Sequence, residues 1–168
     1  SINQIVVRGY ERTPTQDIEF AISQMVQIAL RALSPSVNDP HTAIACIDWL
    51  GAALGRAARR EFPSAYRYDR RAKLRVVVQP VTYEKMVDRA FDQIRQAGLQ
   101  HIEVGIRLLD VLANLLEYLD KPSRREAVLR QALAVHRGIL QTRLSDVDRQ
   151  DVEARMQRVS RAAHPDGS

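Results

Sequence analysis

Apolar residues recur at helical spacing along most of this chain. From Ile18 onward, Ala21, Ile22, Met25, Val26, Ala29, Ala32 and Leu33 share one face of a 3.6-residue period, and Ile28 and Leu30 widen it into the pattern of a central helix. Thr13-Pro14-Thr15-Gln16 reads as the capping box that opens it. A second helix runs from Pro40 to about Arg60, with Ala43, Ile44, Ile47, Leu50, Leu54 and Ala57 as its stripe. Gly51 and Gly55 stand four apart in it. A helical glycine costs about 1 kcal/mol against alanine, so the pair points to close packing of another helix. Thr82 caps a third helix that buries Tyr83, Met86, Val87, Ala90, Phe91, Ile94 and Ala97, and Gly98 closes it. The fourth, about His101 to Leu119, sets Ile102, Ile106, Leu109, Leu112, Leu116 and Leu119 against a salt-bridging stripe of Glu103, Arg107, Asp110, Asn114 and Glu117. Ser123-Arg-Arg-Glu126 reads as a second capping box, opening a helix to about Leu144. Ser145 or Asp146 starts the last helix, whose apolar stripe is only Val152, Met156, Val159 and Ala163.

Residues 61–81 change period. Tyr66-Arg67-Tyr68 and Lys73–Val78 have strand composition, with a turn over Asp69–Ala72. The fold class is therefore mainly α: about six helices packed as a bundle, with a minor β-hairpin or small sheet near residues 66–78 that Ile5–Val7 can join. Residues 1–164 read as one soluble helical domain and residues 165–168 as a frayed tail. No internal repeat of 20–50 residues is visible.

One stretch, Arg31-Ala-Leu-Ser-Pro-Ser-Val-Asn-Asp-Pro-His-Thr-Ala43, breaks the helical pattern with two prolines. Pro35 disfavours helix at Ser34, Asn38 tolerates a left-handed backbone, and Asp39 before Pro40 is an N-cap followed by proline at N1. Caps and turns explain every residue of this corner except His41. A helix N-terminus also suits an anion. If the corner is a binding site, its candidates are Arg31, Asn38, Asp39, His41 and Thr42, with Arg12 and Asp17 converging from upstream. Glu11 could join Asp17, Asp39 and His41 in acid–base work.

Composition narrows the classes. Only 5% of residues are aromatic while 45% are hydrophobic, which favours an aliphatic helical core. The single cysteine, Cys46, lies on an apolar face and excludes an internal disulfide or a thiolate metal cluster. The four histidines share no ligand spacing, and no phosphate loop, nucleophile elbow or His-Glu-x-x-His motif is present, so the sequence implies no cofactor and no metal and weighs against an enzyme. The formal charge is +5, almost all of it from arginine. That balance suits an anionic ligand or lipid surface, or a domain retained on the cytoplasmic side of a membrane. Arg67, Arg70, Arg71, Lys73 and Arg75 interleave with tyrosines, as a nucleic-acid surface can, but no recognition motif accompanies them and a solvated basic hairpin is the simpler reading. No apolar run approaches the roughly 18 residues of a spanning helix. With no signal peptide and no initiating Met, the chain reads as an excised soluble fragment.

Gly9, Arg12-Thr13, Gln16-Asp17, Phe20, Ile28–Pro35, Asn38–Pro40, Thr42-Ala43, Cys46–Asp48, Leu74–Val76 and Ala90–Arg95 together carry a resemblance. In them the chain resembles a bacterial family of predicted multi-pass membrane proteins of unknown function, domain of unknown function number twenty-two fifty-four. The resemblance covers nearly the whole chain, with the corner stretch as its most specific string; His41 stands where an aromatic or apolar residue is expected. It implies a soluble C-terminal domain, facing the cytoplasm, of a protein in the bacterial inner membrane, with its own upstream transmembrane segment as a partner. It implies no catalytic residues. The expected role is regulation, sensing or assembly. The narrow stripe and charged flanks of the last helix add the expectation of a homo-oligomer, most simply a dimer.

Overall fold

The computed structural model describes residues 18–62, 66–69, 73–77 and 81–164. Among the described residues, six α-helices carry the fold: α1 (Ile18–Ala32), α2 (Pro40–Ala57), α3 (Tyr83–Ala97), α4 (Ile102–Glu117), α5 (Pro122–Leu140) and α6 (Asp146–Ala163). A short antiparallel hairpin, β1 (Tyr66–Tyr68) with β2 (Leu74–Val77), lies between α2 and α3 and pairs Tyr66 with Val77 and Arg67 with Val76. The mainly α class follows directly from the apolar periodicity. The expected third strand at Ile5–Val7 and the capping box at residues 13–16 lie outside the described residues.

The helices form three consecutive hairpins stacked into two layers. In one layer α1, α3 and α5 lie side by side; in the other, α2, α4 and α6 do. Within each layer the helices run parallel. Asp48 meets Arg107, Gly51 meets Val111 and Gly55 meets Leu115, so α2 and α4 ascend together. Ser123 meets Glu84, Arg130 meets Asp88 and Gln131 meets Asp92, so α3 and α5 do the same. The core between the layers is aliphatic apart from Phe91 and Tyr83, and Ile47, Leu54, Met86, Leu108, Leu112 and Leu116 are all fully buried in it. Cys46 is buried as expected, and burial pushes its thiol pKa up.

Four expectations need correction. The broad apolar face of α1 does not make it central: it is the edge helix of its layer, and Ile28 stays half exposed to solvent. Both α2 and α5 end earlier than their stripes suggest. Arg60 N–H already turns back to Ala57 O, and Thr142 N–H to Ile139 O, tightening the chain before Leu144. Ser123 is not a cap. Pro122 occupies the first turn of α5, Lys121 is the cap position, and the Ser123 hydroxyl donates instead to Glu84 Oε1 at 2.9 Å. The narrow seam of α6 is used within the chain: Val152 and Val159 are buried, with Met156 half-buried beside them, as α6 lies along α4. Its charged flank is answered there too, by Arg155 to Asp110 at 3.7 Å and Arg158 to Glu117 at 2.9 Å.

Candidate functional site

The corner between α1 and α2 is built from its own backbone. Asn38 N–H donates to Ser34 O at 2.8 Å and Asp39 N–H to Ala32 O at 2.8 Å, while the Ser34 hydroxyl donates to Arg31 O at 2.7 Å. Asn38 takes φ +50°, the left-handed conformation that asparagine tolerates best among residues with a Cβ. Asp39 caps α2 with both oxygens. Oδ1 accepts the Thr42 N–H at 3.1 Å and Oδ2 accepts the Thr42 hydroxyl at 2.6 Å. The Thr42 hydroxyl, then the Thr42 N–H, hold the Asp39 carboxyl below its ordinary value, with the His41 N–H adding a smaller pull in the same direction.

Of the candidates named from sequence, the structure therefore joins Asp39 to Thr42 and to the His41 backbone. Arg31 enters through its main-chain carbonyl. The side chains of Arg31, Asn38 and His41 are exposed. Arg12, Asp17 and Glu11 lie outside the described residues. Asp39 itself supplies an anion at the start of α2, where the helix dipole favours negative charge.

Among the described residues, clefts also lie elsewhere. Between α1 and α3, about 500 Å³ is bordered by Ser23, Gln27, Lys85, Asp88, Arg89 and Asp92. Its paired carboxylates are occupied: the buried Gln131 amide donates to Asp88 at 2.9 Å and to Asp92 at 2.8 Å, and Arg130 donates to Asp88. Among the described residues no group of three or more His, Cys, Asp or Glu could hold a metal ion. The second cleft, about 330 Å³, runs along the seam of α2 and α4, with Gly51, Ala52, Gly55, Val111 and Leu115 as its floor and Asp48, Arg107, Asn114 and Tyr118 as its rim. Arg107 Nε closes one side on Asp48 at 2.6 Å. Trp49 sits one helical row outside Ala52 and is 64% exposed; Tyr118 is 60% exposed.

A cluster that sequence reading missed lies where α2, α4 and α6 end. The buried Arg124 guanidinium donates to Ala58 O at 2.5 Å and Arg60 O at 3.1 Å, and sits 5.3 Å from the ring centres of both Phe62 and Tyr83. Arg125 donates to Leu116 O and Leu119 O with one nitrogen and to Ala162 O and Ala163 O with the other. Adjacent arginines thus hold the C-terminal carbonyls of all three helices of one layer. A signal was present: both arginines stand in the first turn of a helix, where the dipole opposes a cation, so their reason had to lie outside their own helix. Tyr83, beneath Arg124, is desolvated by burial and its pKa is pushed up to about 12; its buried hydroxyl has no hydrogen-bond partner among the described residues.

A family model described as a predicted membrane protein family, DUF2254, matches residues 1–114. Uncharacterized proteins of Mycobacterium bovis and Mycobacterium tuberculosis are 38% identical over 141 residues, which is 84% of this chain and 27% of each relative. The chain spans about a quarter of the length of these curated relatives. No solved structure matches it significantly. Among the described residues, no helix is long and apolar enough to cross a membrane.

Proposed function

From the premise that this chain belongs to the DUF2254 family of predicted membrane proteins, we propose that it is the cytoplasmic regulatory or assembly domain of a multi-pass membrane protein. It acts by docking rather than by bond chemistry. One contrast carries this reading. Among the described residues, the acidic groups at the corner and in the α1–α3 cleft are engaged in structural bonds, Asp39 by Thr42 and Asp88 with Asp92 by Gln131. The large aromatics Trp49 and Tyr118, in contrast, are held out beside an open apolar cleft. Exposed Trp and Tyr next to a groove are the residue types that anchor protein contacts.

The test is a topology reporter fused to the C-terminus of the parent protein. Fluorescence from a fused fluorescent protein together with an inactive fused alkaline phosphatase is the expected result. An active phosphatase refutes the placement.

A further inference from the structure

The cleft on α2 and α4 is apolar, open and bordered by its own aromatic ridge, and three observations say what fits it. The first is Gly51 against Gly55. A Cβ on Gly51 would collide with Val111 Cγ1, so the fold itself requires glycine there. A Cβ on Gly55 would meet only Leu115 Cδ2 at 3.8 Å, an ordinary contact. The monomer therefore gives no reason for the roughly 1 kcal/mol that Gly55 costs inside a helix. Bare backbone facing a groove does make sense if another chain approaches it closely.

The second observation is that ridge and groove lie side by side at one level of the same face. Trp49 is level with the groove floor at Gly51 and Ala52. A two-fold axis running along α2 exchanges the two, so each copy offers its tryptophan to the other's groove, which is the signature of an isologous contact.

The third observation is charge. A two-fold contact sets a face against itself, so a strongly charged face repels its copy. Here Asp48 is matched by Arg107 and Glu117 by Arg158, so the groove rim is neutral, with the exposed Arg56 beside it. An anionic lipid surface or a nucleic acid would instead favour uncompensated cations.

We infer that two copies of this chain pair through the α2–α4 face, with Trp49 of each seated in the groove of the other. This rests on reading the domain as an assembly module. The exposed aromatics supply part of the area. At about 150–250 Å² per buried aromatic, the exposed parts of two Trp49 and two Tyr118 rings supply roughly 400–600 Å². That is about a third of the approximately 1,200–2,000 Å² of a stable interface, with the groove walls and Arg56 stems to add. The α6 seam, spent inside the chain, is not needed.

The experiment is light scattering on the 168-residue chain over a concentration series, with the emission of Trp49 followed in parallel. Trp49 is the only tryptophan, so its emission reports this face alone. The expected result is a mass of twice 19.1 kDa at high concentration, with Trp49 emission shifting to the blue as the mass doubles. Trp49→Ala and Gly55→Met should each weaken pairing at least about tenfold, equivalent to about 1.4 kcal/mol. Gly55→Met fills the groove, meets Leu115 only at ordinary contact distance through its Cβ, and keeps the fluorophore, and an unchanged far-UV circular dichroism spectrum certifies both folds. A mass that stays at 19.1 kDa to about 100 µM, with red-shifted Trp49 emission throughout, overturns the inference. So does pairing that both variants leave intact. A blue shift on adding anionic phosphatidylglycerol vesicles to a monomer that never doubles in mass also overturns it, and assigns the face to lipid. None of these outcomes bears on the topology reporter, so the two readings fail separately.

Discussion

Replacing Arg124 with alanine should be among the most damaging single changes in this domain. Arg124 is only 6% exposed, and it donates two charge-assisted hydrogen bonds to Ala58 O and Arg60 O. Each such bond contributes about 1.5–3 kcal/mol net. The two faces it presents to Phe62 and Tyr83 add about 0.5–2 kcal/mol of cation–π attraction between them. Against this stands the desolvation of a guanidinium, and part of the loss is recovered because Arg60 is exposed and its carbonyl can take water. The balance is a loss of about 3 kcal/mol, a large fraction of the roughly 5–15 kcal/mol available to a domain. At this size that lowers the midpoint of thermal unfolding by about 6–12 °C. Arg124→Lys should recover less than half, because an ammonium cannot span two carbonyls and lie flat between two rings. Urea unfolding followed by far-UV circular dichroism reads all three proteins. If alanine costs less than about 1 kcal/mol, the idea that Arg124 holds the end of α2 is wrong.

Other substitutions separate the remaining contacts. Gly51→Ala should destabilise by about 1–3 kcal/mol, through the methyl forced onto Val111, while Gly55→Ala should stabilise the monomer by about 0.5–1 kcal/mol; dilute urea titrations give both signs. Tyr83→Phe should be neutral or stabilising near neutral pH, since the buried hydroxyl it removes has no hydrogen-bond partner among the described residues. Because the folded-state pKa of Tyr83 is raised, its contribution is intact below the ordinary value of 10 and is lost as pH climbs toward about 12. Alkaline melts of the phenylalanine variant should therefore fall off less steeply than those of the parent. Asp39 behaves in the opposite sense: its folded-state pKa is lowered, so its cap stabilises above the ordinary carboxylate value and is lost as pH falls below it. Asp39→Asn should keep the cap and flatten that acid limb, and Asp39→Ala should lower the melting midpoint at neutral pH.

The helices were legible wherever local chemistry decides them. Thr82 caps α3 by accepting the Lys85 N–H, and Ser145 caps α6 by accepting the Asp148 N–H, because capping needs only residues within one turn. The left-handed Asn38 and the Asp39 cap were legible for the same reason. The layering was not. A three-hairpin stack leaves no repeat in the sequence when hairpin lengths differ and one link carries a β-hairpin, and apolar stripes record that a face is buried without recording against what. Ser123-Arg-Arg-Glu126 misled because the pattern of a capping box is also satisfied by two arginines that act across the layer and a serine that reaches α3. The α2–α4 cleft was half legible. The glycine spacing announced close packing, yet only coordinates separate Gly51, which faces Val111, from Gly55, which faces open groove.

The parallel layering has an electrostatic consequence that accounts for the arginine pair. Three helices of one layer finishing at the same edge gather three negative dipole ends, each about half an elementary charge. Such a set is self-repelling and leaves C-terminal carbonyls without helical partners. α3 and α5 both begin at that edge, and their positive dipole ends offset part of that charge without reaching the carbonyls. Arg124 and Arg125 answer the carbonyls themselves, donating directly to Ala58, Arg60, Leu116, Leu119, Ala162 and Ala163 O. On this argument the two arginines divide the work by helix. Losing Arg124 should loosen the end of α2 and the approach to the hairpin. Losing Arg125 should release the end of α6, whose apolar seam is the thinnest in the fold, with only Val152 and Val159 fully buried. Hydrogen exchange on Arg125→Ala should then show faster amides at residues 158–163 than at the end of α2, and the reverse in Arg124→Ala. Equal acceleration at both ends in either variant would mean that the edge melts as one unit and that the division is not real.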